Sequence, residues 1–185
     1  MIILEIIAVV STILCVILTT KQNILCWPLG IVSVLSLIGI YIIEGIYIQI
    51  LLQLVFLTQC IIGWYNWGVK DNLVVTRVDT VQFLLDIELF IVLGIILGGV
   101  NIYLNNETIL ISSMVDGVAA LLALLGNWYL TKKKIQAWGL FMTYNILISG
   151  LLISKDLYFI GFMNIVLCCI SFNGYLKWKK DLKTV

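Results

Sequence analysis

Seven long apolar runs follow one another along the chain, with only short polar segments between them. An α-helix needs about 20 residues of this kind to cross the hydrocarbon core of a bilayer. The runs are continuous and do not alternate apolar with polar residues, which favours helices over the strands of a membrane barrel. We therefore predict an all-α membrane protein with transmembrane helices at 2–19, 24–43, 46–66, 81–103, 110–130, 135–153 and 156–176.

The composition agrees with a single membrane domain over residues 1–185. Hydrophobic residues make up 62% of the chain and charged residues only 11%, whereas a typical soluble domain has about 25% charged residues. The net charge of +1 offers no basic face for nucleic acid. Histidine is absent, and the five cysteines lie in apolar runs without the spacing of metal ligands. We therefore predict no metal site, no cofactor and no nucleic-acid partner, with the lipid bilayer as the surroundings.

The distribution of basic residues predicts the orientation of the helices. With these spans, one side of the membrane receives 10 of the 11 Lys and Arg residues, and the other side receives only Lys155. The positive-inside rule places the basic side in the cytoplasm, so the N-terminus is expected outside and the C-terminus inside. The ten basic residues are Lys21, Lys70, Arg77, Lys132, Lys133, Lys134, Lys177, Lys179, Lys180 and Lys183.

The chain also contains a direct repeat in which residue n matches residue n+111 without a gap. Each repeat holds three predicted helices, and a single linking helix would let both repeats point the same way. The expected architecture is three plus one plus three, with repeat one at 1–68, the linking helix at 81–103, repeat two at 110–178 and a pseudo-two-fold axis along the membrane normal. Parallel repeats around a central path are typical of transporters, although a repeat kept only for packing remains an alternative. Matching pairs include Thr20 and Thr131, Ile24 and Ile135, Trp27 and Trp138, Gly39 and Gly150, Gly63 and Gly174, and Trp67 and Trp178.

Carboxamides inside the predicted helices are candidates for a substrate site. Gln53 and Asn164 are repeat partners near the middle of the membrane, and Gln59 lies on the same helix as Gln53. Polar side chains in lipid are costly and usually face the interior of the bundle. We predict that all three bind substrate; hydrogen bonds that only hold helices together are the alternative.

A second group of candidates lies on the sixth predicted helix. Trp138, Phe141 and Asn145 are spaced by three and four residues, which places them on one helix face. Two flat rings beside a carboxamide would suit a flat aromatic ligand with amide or hydroxyl groups. The repeat partners of Phe141 and Asn145 are Gly30 and Val34, so we expect this binding site to lie off the axis. An interfacial position for Trp138 and simple helix packing for Asn145 are the alternatives.

The sequence GWYNW at 63–67 contributes the remaining candidates. Trp67 and its repeat partner Trp178 are predicted to anchor two helices at the cytoplasmic interface. Trp64 and Asn66 are predicted to line the exit path of a substrate, because residues of other types occupy their matching positions in the second repeat.

These motifs together resemble the PnuC family of bacterial vitamin transporters over nearly the whole chain. The stretches that carry the resemblance are Glu5, CWPLGIVS at 26–33, QLVFLTQCIIGWYNW at 53–67, Asp116, KKKIQAWGLFMTYN at 132–145 and GYLKWKK at 174–180. The GWYNW ending and the W-x-x-aromatic-x-x-x-N stretch are specific in combination, whereas each alone would be a weak signal.

The resemblance implies seven spans in a three-one-three array related to the SWEET sugar transporters, in a bacterial cell membrane. It also implies uptake of nicotinamide riboside for NAD synthesis by facilitated diffusion, trapping of the substrate by a cytosolic kinase, and a homotrimer. Within the family, a W-x-x-W-x-x-x-N stretch in the sixth span looks like the mark of the nicotinamide riboside branch. In this chain Trp138 and Asn145 match that pattern, while Phe141 stands in place of the second tryptophan. Thiamine, riboflavin, a deoxynucleoside or a SWEET-type sugar therefore remain alternative substrates.

Other classes of seven-helix protein have less support. An intramembrane enzyme needs a nucleophile with a base, clustered carboxylates or metal ligands at membrane depth, and we find no such set in the sequence. A retinal photoreceptor needs a lysine inside the last span, whereas Lys155 and Lys177 flank it. A purely structural membrane protein would bind no small solute.

Overall fold

The computed structural model describes residues 2–44, 47–69, 73–105, 110–154 and 156–182, and within them the chain forms seven α-helices. The helices begin and end within a few residues of the predicted spans, and the all-α prediction is confirmed. By length and composition, α1 to α6 each contain a stretch able to cross a membrane, and α7 is 23 residues long. The helices are α1 (Ile2–Thr20), α2 (Cys26–Glu44), α3 (Tyr47–Val69), α4 (Thr80–Asn105), α5 (Leu110–Thr131), α6 (Gln136–Ser154) and α7 (Tyr158–Lys180).

Six of the helices pack in a closed ring, in the order α1, α2, α3, α5, α6, α7 and back to α1. The contacts between the two predicted repeats are those of α3 with α5 and of α1 with α7. A rotation that places α1 on α5 and α3 on α7, and the second repeat on the first, turns each of these two contacts into the other. The ring is therefore arranged as a pseudo-two-fold axis would require.

The turns that end α1 and α5 show the repeat in atomic detail. Gln22 has a φ of 53° and Lys133 a φ of 50°, and the two residues are 111 positions apart. After α1, the Asn23 N–H donates to the Leu18 carbonyl oxygen at 3.0 Å, and after α5 the Lys134 N–H donates in the equivalent way at 2.9 Å. A left-handed residue with this hydrogen bond is the Schellman ending of a helix. These matched turns support the predicted direct repeat, although the axis itself remains a prediction.

The C-terminal ends of α1, α3, α5 and α7 lie at the same end of the bundle, which we call the lysine-rich end. Direct contacts join them: Gln22 reaches Asp181, and Trp67 reaches Leu130. The basic residues that we predicted on one side of the membrane lie at this end wherever the structure describes them. Lys70, Lys155 and Lys183, which also entered the charge argument, are outside the described residues.

Helix α4 lies outside the ring and packs on α5. Gly94 and Gly98, four residues apart, face the backbone of α5 at Val118 and Ser113. Small residues at this spacing allow two membrane helices to approach closely. On the opposite side, α4 exposes a row of large apolar side chains that suits contact with lipid. Asp86 on α4 accepts hydrogen bonds from Gln82 and Tyr129, which accounts for one acidic side chain inside a predicted span.

Candidate functional site

The predicted binding face of α6 lies inside repeat two, between α5 and α7. Trp138 is 1% exposed, and its ring lies flat over Gly174 of α7, where an added Cβ would come within 2.6 Å of it. The Phe141 ring lies against Gly126 of α5 and its centroid is 6.5 Å from that of Trp138. Asn145 is 4% exposed and completes the face one turn further along the helix. The structure therefore brings these three predicted residues together, with two glycines making room for the rings.

Two polar atoms of this face are buried and have no hydrogen-bond partner among the residues that the structure describes. They are the indole Nε1 of Trp138, a donor, and the side-chain Oδ1 of Asn145, an acceptor. The amide Nδ2 of Asn145 is occupied, because it donates to the carbonyl oxygen of Phe141 at 2.8 Å. Buried polar groups are nearly always paired with protein or water, so unpaired ones call for an explanation. A ligand that offers both an acceptor and a donor would supply one.

Repeat one holds only half of this arrangement. Trp27 lies over Gly63 just as Trp138 lies over Gly174, and its buried Nε1 also has no hydrogen-bond partner within the described part of the chain. The carboxamide has no counterpart, because valine occupies the position that matches Asn145. The Phe141 ring is replaced by Gly30, where an added Cβ would lie 3.2 Å from a cysteine thiol. The two repeats therefore differ at this face, and the off-axis position of the site stays a prediction.

Gln59 and an asparagine that sequence reasoning missed form a polar link between the repeats. The Gln59 Nε2 donates to the carbonyl oxygen of Leu124 at 3.1 Å, and its Oε1 accepts from Asn127 Nδ2 at 3.0 Å. A carboxamide within the apolar run of α5 was the signal that could have identified Asn127. The bonded state of Gln59 fits the helix-linking alternative as well as a role in binding.

Gln53 and Asn164, the predicted pair near mid-membrane, are equally buried at 8% exposure each. Equal burial of two repeat partners is what an approach to a shared axis would produce. Trp64 is 46% exposed and Asn66 is half-buried. The place of Trp64 and Asn66 on an exit path remains a prediction.

Four tryptophans from both repeats form a continuous cluster at the lysine-rich end. Trp27 meets Trp67 edge to face at 5.3 Å, Trp138 meets Trp178 in the same way at 5.4 Å, and Trp67 lies 6.0 Å from Trp178. The two edge-to-face pairs are repeat equivalents with interplanar angles of 90° and 89°. The cluster thus joins the candidate binding face of α6 to the boundary between the repeats.

The prediction that Trp178 is an interfacial anchor is wrong, whereas Trp67 is half-buried and its anchoring role stays a prediction. Trp178 is completely buried, and its Nε1 donates to the Thr19 carbonyl oxygen at 3.1 Å. Trp67 donates to the Leu130 carbonyl oxygen at 3.2 Å. Each indole therefore donates to a carbonyl oxygen at the end of a helix of the other repeat, and that oxygen also accepts a backbone N–H of the turn that follows, from Gln22 or Lys133. Helix-end tryptophans can serve an interface between protein segments as well as one with lipid, and hydropathy does not separate the two.

A lysine covers the outer side of this cluster. The Lys133 Nζ lies 4.8 Å from the centre of the Trp67 ring, within the range of a cation–π contact. Burial lowers the pKa of Lys133, because the surrounding protein disfavours the charged ammonium. Lys132 makes a similar contact with Trp128 at 4.2 Å.

Comparison with known proteins gives two findings. The profile of a family described as "Nicotinamide mononucleotide transporter" matches residues 2–180. A solved structure described as "Crystal structure of the Vitamin B3 transporter PnuC" is similar with a TM-score of 0.68 and 20% sequence identity, over 96% of this chain and 80% of that one. None of the curated proteins matches the chain. At 20% identity the structural likeness shows a shared fold.

Proposed function

Because the chain belongs to the nicotinamide mononucleotide transporter family, we propose that it is a multi-pass membrane carrier that takes up nicotinamide riboside for NAD synthesis. Transport is by facilitated diffusion through the six-helix ring. The substrate is retained when a cytosolic kinase phosphorylates it. The carrier is not an enzyme, and its chemistry consists of binding and release.

One observation carries the choice of ligand: the buried, unpartnered donor and acceptor beside two aromatic rings on α6. A nicotinamide ring is flat and cationic in the riboside, and aromatic side chains attract such a cation. Its carboxamide offers the acceptor that Trp138 Nε1 lacks, and carboxamide or ribose hydrogens offer the donor that Asn145 Oδ1 lacks. Satisfying both atoms would remove the cost of leaving them buried and unpaired.

The charge of the face favours the riboside over its phosphorylated form. The three residues of the face, Trp138, Phe141 and Asn145, are all neutral. The nearby Lys132 and Lys133 lie over tryptophan rings at the end of the bundle. A phosphate group is normally held by arginine, lysine or a helix N-terminus, so this neutral face suits a ligand without phosphate.

Three further properties belong to the same proposal. The protein lies in a bacterial cell membrane with its lysine-rich end in the cytoplasm, as the distribution of basic residues predicts. Three copies form a homotrimer, as the resemblance implies. The substrate is released at the lysine-rich end, where the kinase can reach it.

Calorimetric titration of the detergent-purified protein tests the proposal directly. Nicotinamide riboside should give saturable binding, whereas nicotinamide mononucleotide, thiamine, riboflavin, a deoxynucleoside and sucrose should not. Binding of another vitamin or nucleoside in place of the riboside would keep the carrier function and show that Phe141 marks a different branch. Failure of every flat heterocycle would overturn the vitamin assignment.

Asn145→Leu tests the role of the unpartnered acceptor. The substitution keeps the branching at Cγ and removes the carboxamide, so we expect at least a tenfold weaker affinity for the riboside, or about 1.4 kcal/mol. Thr143→Val is the matched control, because Thr143 is an exposed residue on the same helix. Unchanged affinity in Asn145→Leu, at normal protein yield, would remove Asn145 from the site.

A further inference from the structure

The exposed face of α7 changes character at the lysine-rich end of the bundle. Over most of the helix this face carries apolar side chains, whereas the last turn carries three lysines. The apolar side chains are spaced by three and four residues, so they form one continuous stripe along the helix. We call it the α7 stripe, and its members are Phe162, Ile165, Cys169, Phe172 and Leu176.

The inner face of the same helix end is fixed by the bundle. Trp178 is completely buried, and Gly174 lies under the ring of Trp138. Successive residues of an α-helix are turned by about 100°, so a packed inner face sets the direction of the side chains between its members. The three lysines, Lys177, Lys179 and Lys180, are all exposed as a result.

An open groove lies where the α7 stripe meets these lysines. Its volume is about 600 Å³, which is in the size range of small-molecule sites. An apolar surface that continues the stripe and a cationic surface meet in this groove. The residues that line it are Asn173, Leu176, Lys177, Lys179 and Lys180.

The lysines of the α5–α6 turn, at the same end of the bundle, are engaged by the protein itself. Lys132 and Lys133 lie over the rings of Trp128 and Trp67, and Lys134 donates to a threonine hydroxyl of the segment before α4. For the three α7 lysines no such partner exists within the described part of the chain. Their charge is therefore available to a ligand.

We propose that this groove binds the head group of an anionic phospholipid whose acyl chain lies along the α7 stripe. Lysine ammonium groups attract phosphate as point charges, and basic clusters next to a membrane helix bind anionic lipids. The carboxylate of Asp181, which follows the lysines, accepts a hydrogen bond from Gln22 and leaves the positive charges in excess. The proposal goes beyond the transport function and does not depend on which solute is carried.

The length of the stripe fits one leaflet of a bilayer. Half of the hydrocarbon core is about 15 Å thick, which corresponds to about ten residues of an α-helix. Leu176 and Ile165 are 11 residues apart and both are exposed. An acyl chain that starts at the groove therefore meets apolar side chains over the whole leaflet. An acidic protein would contact the lysines but not the stripe, which lies at membrane depth.

Lipid titration of the full-length protein in detergent tests the proposal. The delipidated protein is mixed with phosphatidylglycerol or with phosphatidylcholine of the same acyl chains, and native mass spectrometry measures the lipid retained per protomer. One variant combines Lys177→Gln with Lys180→Gln. The matched control combines Lys21→Gln with Arg77→Gln, which removes two exposed cations from the same end of the bundle.

We expect at least tenfold tighter binding of phosphatidylglycerol than of phosphatidylcholine. The variant with two α7 lysines replaced should bind phosphatidylglycerol at least threefold more weakly, whereas the control should keep its affinity within experimental error. Leu176→Asn should also weaken binding at least threefold with every lysine present, because it interrupts the stripe at the groove. Glycerol phosphate, which lacks acyl chains, should not compete.

Two results would overturn the proposal. Equal affinity for the two lipids would show that the lysines do not select an anionic head group. Equal losses in the α7 variant and in the control would show attraction to the overall charge of this end, and competition by glycerol phosphate would assign the groove to a soluble ligand instead. Melting temperatures without lipid check that each variant is folded, and the lysine variant, which changes only exposed side chains, decides the question if Leu176→Asn is unstable.

Discussion

At the scale of single residues, two glycines decide where the tryptophans of the two repeats can lie. Gly63 and Gly174 are repeat partners, and a Cβ on either would collide with the ring of Trp27 or Trp138. The flat packing of each indole on a helix backbone depends on the missing side chain. In repeat two that packing also orients the ring next to Asn145.

We predict different effects from the two alanine substitutions. Gly174→Ala should displace Trp138, which would lower the melting temperature by several degrees, for an overpacking cost of about 1–3 kcal/mol, and weaken riboside binding at least tenfold. Gly63→Ala should lower the melting temperature similarly, because Trp27 is displaced, but leave the affinity within threefold. Thermal unfolding and calorimetry measure the two effects.

Gly150→Ala is the control, since an added Cβ there meets nothing within 4 Å. Equal loss of affinity in Gly63→Ala and Gly174→Ala would place a binding function in both repeats and contradict the off-axis site.

Among single residues, the sequence identified the α6 face better than it identified the helix ends. Spacings of three and four correctly placed Trp138, Phe141 and Asn145 together, because helix geometry alone sets which residues share a face. Trp178 was predicted at the lipid interface and is fully buried. An indole at a helix end suits both a lipid interface and a contact between helices. Which of the two it adopts depends on whether a carbonyl of another helix lies within reach.

At the scale of elements, the association of α4 with α5 depends on backbone contact. A Cβ at Gly98 would lie 2.6 Å from the Ser113 carbonyl oxygen and 2.7 Å from the Met114 Cα. Backbone atoms cannot rotate away as the end of a side chain can, so one added methyl group must move the helix. The neighbouring Gly99 faces open space.

Gly98→Ala should therefore destabilise the protein, whereas Gly99→Ala should not. We expect a lower melting temperature and a broader elution profile in detergent for Gly98→Ala. Gly99→Ala should be neutral or more stable by up to about 1 kcal/mol, because alanine favours a helix over glycine. Equal stability of the two variants would show that α4 is free to move away from α5.

The segment that precedes α4 shows what could not be predicted from patterns within single elements. Residues 73–79 form no helix and carry no repeat match within the described chain, so the pattern predicts only a connection between spans. The pairing of this segment with the α5–α6 turn joins positions 76 and 134, which are far apart in sequence. Such a contact depends on how the helices are arranged in space.

At the scale of the whole molecule, two similar sets of three helices make up the six-helix ring. The contacts between the halves, α3 with α5 and α1 with α7, are repeat equivalents, and the turns that end α1 and α5 have the same hydrogen bonds. Asp86, a carboxylate inside a predicted span, is engaged by Tyr129 and Gln82 on the outer side of this ring. These features fit a carrier whose cycle depends on the movement of repeats.

We therefore predict that uptake follows the substrate gradient alone. Liposomes that contain the protein should equilibrate labelled riboside without accumulating it, and proton or sodium ionophores should change the initial rate less than twofold. Asp86→Asn should retain most of the uptake. Accumulation that an ionophore abolishes would contradict facilitated diffusion and would direct attention to the carboxylates.

The sequence by itself determined the all-α membrane class, the helix boundaries within a few residues, the offset of 111 residues and the shared face on α6. These are properties of local periodicity and hydropathy, which act within one helix and so can be read along the chain. Only the tertiary structure decided that Gln59 bonds Asn127, that the Trp178 indole donates to the Thr19 carbonyl oxygen and that Thr76 pairs with the α5–α6 turn. Each of these depends on which surfaces meet across the bundle, and an apolar helix has many faces that satisfy lipid and protein equally well.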